Sequence, residues 1–457
     1  MSSIVSLSDL WHEFKRSRVG LAGLAILTFL IVLSIIALSI TSAERLRSWN
    51  DPAAWSLYPR NAMPAWVNLF SSVRLAEHTI LNNPEVKVDN SSNIKQVKHV
   101  YNLTYIYDTM PTDIIIAYKV RYQGSSLMQV SITRPDNNTI EYARVSLPSN
   151  ATEQVYESML FSTDKAVQDS IVNYLSRYKF PIDKSETVTA VFSSYDKSDV
   201  LKGNYTLTLT FFLFNADDDV IDSKVVLGGR VYGLLGTDEL RRDLSIGIVW
   251  GAPLALFIGI SVASISVIIG MIYGIVSGYK GGRIDEGMMR LNDVVYALPA
   301  LPLLILLAVS IGRSILLIVA YLIIFGWVGI AKVSRSIALQ IKSLAYIEAA
   351  ELMGQSSIKI ITKHIFPQLL PYAFASIAIS VPGAIITEAG LSFLGLGDPT
   401  MPTWGQILHD ANLYGAAARG LWWWIIPPGI MIALTGLAFV LIGNALDAIV
   451  NPKMKRV

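Results

Sequence analysis

The run Tyr346-Ile347-Glu348-Ala349-Ala350-Glu351-Leu352-Met353-Gly354, continued by Lys363-His364-Ile365-Phe366-Pro367, reads as a short helix, a stop and a second short helix. Ala, Glu, Leu and Met are strong helix formers. Gly354 stands where a helix ends in a left-handed C-cap, and Ser356 or Ser357 can cap the second helix. That helix places Ile358, Ile361 and Ile365 on one stripe, with Lys359 and Lys363 off it. Pro367 stops it or starts the next segment. Ala349 and Ala350 have almost no side chain, so another surface can approach the backbone closely there. Long apolar blocks flank the pair, which sets it at a membrane face, and its lysines make that face cytoplasmic.

Composition agrees. Of 457 residues 52% are hydrophobic and 16% charged, against about 25% charged in ordinary soluble domains. A net charge of +2 gives no case for nucleic-acid binding. The absence of cysteine excludes disulfides, thiolate metal sites and a Cys nucleophile. The histidines, His12, His78, His99, His364 and His409, are too scattered for a metal site, and there is no phosphate-cradling P-loop.

Residues 1–18 read as an interfacial amphipathic helix built on Leu7, Leu10, Trp11 and Phe14, with Lys15, Arg16 and Arg18 behind. The first span is expected at 19–41. It is too long for the apolar core of a cleaved signal peptide, although Ser42-Ala43 could end one. Further spans are expected at Ile246–Gly278, Val294–Ile311 (with Pro299 and Pro302 as kinks), Ile315–Val333, Leu369–Glu388 and Ile425–Leu446. Trp422-Trp423-Trp424 reads as an aromatic belt. This makes six spans with both termini cytoplasmic. The charge bias of the short loops fits, Arg313 and Arg419 being the main basic residues in outer turns. Glu388 is the one acid deep enough to be costly in lipid, a candidate pathway residue or a structural hydrogen-bonding group. Arg290 and Asp293, at i and i+3, are expected to pair with each other at the inner face.

Residues 42–233 differ from the rest. Asp113–Val120, Ser126–Thr133, Thr187–Ser194 and Tyr205–Phe214 read as strands and Ala151–Phe180 as helix, giving a compact α+β or β-sandwich domain. All five N-x-S/T sequons of the chain, at Asn90, Asn102, Asn137, Asn150 and Asn204, fall here, which suggests an extracytoplasmic, N-glycosylated domain suited to an archaeal surface.

The E-A-A run with Gly354 and the later His-Ile-Phe-Pro resembles the EAA loop of membrane subunits of ABC importers. Trp11–Leu24 resembles the start of the dipeptide and oligopeptide branch of that family. So do Glu388-Ala-Gly-Leu-Ser-Phe-Leu-Gly-Leu-Gly397, Pro402-Thr-Trp-Gly405 and Met289-Arg290-x-x-Asp293. Gly236, Thr237, Asp238, Arg242 and Asp243 match a G-T-D-x-x-G-R-D run in that branch, with Arg241 in place of its second Gly. The resemblance covers 5–45 and 230–455. It implies a type I importer transmembrane fold, an all-α polytopic membrane protein with six helices. The domain at 42–233 is an insertion, and 234–457 is a five-helix core whose coupling loop spans about 334–367. Implied partners are a second homologous membrane subunit, two cytoplasmic ATPases carrying ATP and Mg, an extracytoplasmic substrate-binding protein and the bilayer. No cofactor is implied on this chain, and no enzymatic activity. In that family the loop docks on the ATPase; here Glu348, Ala349, Ala350 and Gly354 would dock, Ile358, Ile361 and Ile365 would anchor, and His364 and Pro367 belong to the same coupling loop. Gly236–Asp243 would pair internally, contact the binding protein or cap the pathway. Peptides are the expected cargo and oligosaccharides the alternative; a membrane-anchored receptor is the reading from another class.

Overall fold

The structure is a computed structural model; it describes residues 12–40, 46–89, 94–176, 187–194 and 199–450. Most of the expected interfacial helix, Asn90 and the C-terminal tail lie outside these. Contacts divide the chain into two units, Met1–Asn50 with Ile246–Val457, and Asp51–Ser245.

The helical unit opens with α1 (Arg18–Ile40). The second unit comprises β1 (Thr79–Leu81), β2 (Glu85–Asp89), β3 (Lys95–Tyr105), β4 (Asp113–Gly124), β5 (Leu127–Thr133), β6 (Thr139–Ser146), β7 (Asn150–Phe161), α2 (Lys165–Ser176), α3 (Thr187–Phe192), β8 (Gly203–Leu213) and β9 (Asp219–Gly228). Two antiparallel sheets, ordered β1-β9-β4-β7 and β2-β3-β8-β5-β6, enclose one aromatic-rich core. Along β8 and β5 buried residues alternate with half-buried ones, the period-2 signature of strands with one face inward. The sheets are tied across the core by Ser223, whose hydroxyl lies 2.6 Å from His99 Nδ1 and 2.7 Å from the Tyr101 hydroxyl. Burial lowers the His99 pKa, which keeps that ring neutral.

Three sequence expectations fail here. Ala151–Phe180 is not one helix: its first part is β7, paired along β4, and among its described residues the helical part is Lys165–Ser176. Pairing with a long central strand overrides the helix propensity of Ala, Glu and Met. Thr187–Ser194, expected as a strand, contains α3. The buried Arg134 guanidinium donates to Ala190 O at 2.8 Å and Ser193 O at 2.7 Å, satisfying carbonyls that a helix end leaves free. The expected boundary at 233 is also too early. Residues 234–245 belong with the β-rich unit because Thr237 and Asp238 hydrogen-bond to the 59–62 backbone.

The helical unit continues with α4 (Leu244–Lys280), α5 (Gly282–Ala297), α6 (Ala300–Ser310), α7 (Ile315–Lys342), α8 (Ala345–Leu352), α9 (Ser357–Ile360), a π-helical turn (Ile361–Ile365), α10 (Phe366–Phe393), α11 (Trp404–Leu413) and α12 (Trp422–Val450). Among the described residues five helices are long and apolar enough to cross a membrane; α5 and α6, bent by 74°, make a sixth if counted as one span. The break falls at Leu298-Pro299, so the expected third span is a broken one. Glycines set the seams. In α1, a Cβ on Gly23 would meet Ala438 O at 2.7 Å and one on Gly20 would meet Ala445 Cβ at 2.9 Å, so the first helix is packed on α12. In α4, Gly270, Gly274 and Gly278 repeat every four residues, and each lies against an α7 backbone carbonyl. The tryptophan triplet is not a belt: Trp424 is fully buried and stacks on Tyr414, Trp423 is buried, and only Trp422 is exposed.

Candidate functional site

Residues 345–360 form a hairpin of α8 and α9. Gly354 has φ +80° and open space around its Cα, so glycine is needed there for backbone conformation and not for room. Gln355 N donates to Ala350 O at 3.1 Å, the wide bond of a Schellman cap. Ser356 caps α9 by accepting from Lys359 N. Pro367 sits in the first turn of α10, directly after the π turn.

The hairpin has a buried base and an apolar tip. Ile347, Ala350, Ile360 and Ile365 are buried in a cluster with Val267, Met271 and Ile275 of α4 and Ala338 and Ile341 of α7. The anchoring stripe therefore differs from the expected one. Ile358 is 76% exposed, Ile361 is half-buried, and Ile360 takes the inward position. The π turn is the cause: its wider period puts residues five apart, Ile360 and Ile365, on one face. Glu348 and Ala349 are exposed, and Leu352 and Met353 are 84% and 73% exposed. Ala350 faces the bundle, so close approach from outside is open at Ala349 alone. Polar ties hold the base: Tyr279 hydroxyl to Glu351 at 2.9 Å, Lys342 Nζ to Tyr279 O at 2.7 Å, and His364 Nε2 to Gln355 Oε1 at 3.0 Å.

The other candidates lie elsewhere. Glu388 is buried and accepts from Ser392 Oγ at 2.6 Å. Near it two glycines of the signature runs are packing devices: a Cβ on Gly397 would strike Ser392, and one on Gly405 would strike Ala389. Trp404 donates from Nε1 to Ile248 O at 2.9 Å, its ring lying on Gly251. Arg290 and Asp293 do not pair with each other. Asp293 binds Lys332 at 2.8 Å and Arg290 reaches Glu286 at 4.0 Å, because α7 supplies a nearer cation. Sequence reasoning missed the tighter bridge, Arg335 bidentate to Asp285 with both bonds at 2.5 Å, which clamps α5 to α7. Its signal was an acid and an arginine, each at the polar end of an apolar block.

In the β-rich unit, Asp238 and Arg242 form an ion pair at 2.6 Å, both fully buried, and Asp238 also accepts from Arg242 N. Thr237 Oγ1 donates to Pro59 O, and Asp243 accepts from Ser245 N at the start of α4. Gly236 is left-handed at φ +76°. So is Arg241, at φ +66°, in a backbone region that glycine enters without strain and other residues rarely adopt. Its side chain donates to Tyr58 O at 2.8 Å and to the Asp113 carboxylate at 2.5 Å. A non-glycine residue in this region costs about 1 kcal/mol or more, and losing a buried carboxylate's partner about 3. Arg241→Gly should therefore be destabilised by about 1–2 kcal/mol and Arg241→Ala by more. Thermal melts of the two variants that rank them in the opposite order would refute this account of the turn.

Of the sequons, Asn102, Asn137 and Asn204 are exposed. Asn102 and Asn204 face each other's threonines across β3 and β8: Thr206 donates to Asn102 and Thr104 to Asn204. This reciprocal ladder is a structural reason for both N-x-T runs.

A family model for the binding-protein-dependent transport system inner membrane component matches residues 267–456, and one for the N-terminal TM domain of oligopeptide transport permease C matches residues 6–59. The dipeptide transport system permease protein DppC of Bacillus subtilis is 40% identical over 222 residues, 48% of this chain and 69% of the relative. The chain belongs to this permease family. The oligopeptide permeases OppC of Bacillus subtilis and Haemophilus influenzae are 35% and 36% identical, over 48% and 54% of this permease and 72% and 79% of their own lengths. A chain of the inward-facing MetNI methionine ABC transporter aligns over 45% of this permease and 95% of its own length at 19% identity; its TM-score of 0.37 is too low to inform the helix arrangement. Neither family model reaches residues 60–266, which hold most of the β-rich unit.

Proposed function

We propose that this permease is one membrane half of an ATP-driven importer for peptides, working with a second membrane subunit, two cytoplasmic ATPases and a substrate-binding protein. The α8–α9 hairpin carries the proposal: its base is fixed in the bundle while an apolar tip of Leu352, Met353 and Ile358 is left uncovered around a left-handed glycine. Exposed apolar residues of this kind favour contact with another surface, and in this reading that surface is the ATPase. Peptide cargo follows the relatives, which are dipeptide and oligopeptide permeases. The β-rich unit is extracytoplasmic in this reading, with both termini in the cytoplasm, and its exposed asparagines are the acceptors for glycosylation. ATP is hydrolysed by the partners, and Glu388 is a packing residue of α10.

The test is co-purification of the detergent-solubilised protein with its native partners. Leu352→Asp and Ile358→Asp should lose the ATPase at least tenfold, about 1.4 kcal/mol or more of binding, and retain the second membrane subunit and the wild-type melting temperature. Retention of the ATPase by both variants would refute the docking surface.

A further inference from the structure

The β-rich unit carries an apolar knob remote in sequence from the docking hairpin. Phe70 and Leu69 are 83% and 80% exposed, Leu234 is 68% exposed, and Trp66 and Val73 are also exposed. Two segments build it together: Ala65 N donates to Gly233 O at 2.9 Å, Trp66 Nε1 donates to Leu234 O at 3.0 Å, and the Trp66 and Phe70 rings meet edge to face at 6.3 Å. Burying such side chains in an apolar medium is favourable by roughly 1.5–3 kcal/mol each, so covering the cluster would be stabilising. Its position indicates what would cover it. Leu235 N donates to Ser245 Oγ at 3.1 Å and Leu244 N to Gly236 O at 3.1 Å, so Leu234 adjoins the first turn of α4, where the chain enters the membrane. The knob's second segment is thus tied to the residues that open α4. The knob also has the composition of an interfacial anchor, an indole with its N–H satisfied and rings and aliphatics beside it.

We infer that Trp66, Leu69, Phe70 and Leu234 dip into the lipid interface and seat the β-rich unit on the bilayer surface from which α4 starts. The inference needs α4 to span the membrane, and it holds on either face.

The chain has no cysteine, so single-cysteine variants Phe70→Cys and Leu234→Cys take a nitroxide label without background. The labelled full-length protein is reconstituted in phosphatidylcholine–phosphatidylglycerol nanodiscs, with Val155→Cys, on an exposed position of β7, as the reference. Power saturation compares accessibility to oxygen with accessibility to a water-soluble nickel chelate. A log ratio that is positive at positions 70 and 234 and negative at 155 supports the inference. A chelate-favouring ratio at 70 and 234 overturns it, as does exclusion of both reagents, which would mean that protein covers the knob.

Discussion

Asp238→Ala should lower the melting temperature of the β-rich unit by roughly 10 °C. The substitution removes the carboxylate that holds the Arg242 guanidinium at 2.6 Å and accepts from its backbone N–H, in a place where neither side chain reaches water. Breaking a buried pair from one side costs about 3–5 kcal/mol, because the remaining charge is desolvated with less to balance it. In a unit of this size each kcal/mol is worth about 2–4 °C. The double variant Asp238→Leu/Arg242→Met should recover part of the loss, since an apolar pair of similar volume carries no such penalty. Melting of the purified full-length chain in detergent, followed by tryptophan fluorescence, distinguishes the cases. A fall of under about 2 °C for the single variant would mean the pair is solvated and worth no more than a surface bridge.

Gly274→Leu should prevent α4 and α7 from closing. A Cβ at this position stands 2.3 Å from Ala331 O and 2.7 Å from Arg335 N, and both are backbone atoms that cannot rotate away. Overpacking of this kind costs about 1–3 kcal/mol where side chains can yield, and more where they cannot. The same displacement would pull Arg335 from Asp285. The control is Gly287→Leu, on α5, where a Cβ meets nothing within 4 Å and leucine is the better helix former. Size-exclusion profiles and melts should show the 274 variant aggregated or melting at least about 5 °C lower, by the same scaling, and the 287 variant unchanged. Equal behaviour of the two would remove the glycine seam as a cause of close packing.

The helical half was legible because its signals are local. Apolar length marks a span, a glycine marks a C-cap, and a serine marks an N-cap. The features that escaped reading depend on partners distant in sequence. Asp293 has an arginine three residues before it, yet binds a lysine on α7. Ile358 carries the right residue type at the right period, yet points outward because one turn is a residue wider than an α turn. In the β-rich unit the alternation of β5 and β8 was readable. β7 was not, because only its pairing along β4 makes Ala151–Phe161 extended. The α8–α9 hairpin could be placed from its sequence, but its exposed tip could not: Leu352 and Met353 look like core residues until the fold leaves them outside.

The hairpin's second arm and α10 form one continuous helical run, Ser357–Phe393, of 37 residues. At about 1.5 Å per residue this is a beam about 55 Å long, with Ile358 near one end and Glu388 about 45 Å away near the other. A tilt of a few degrees imposed at the tip becomes a displacement of a few ångströms at the far end, without any relay of side chains. The beam has three places where it can flex: the π turn at its foot, and Pro371 and Pro382, each of which removes a rung of the hydrogen-bond ladder. Stiffness between these points and compliance at them make the element a jointed lever. Its leverage is set by where the joints fall in the chain.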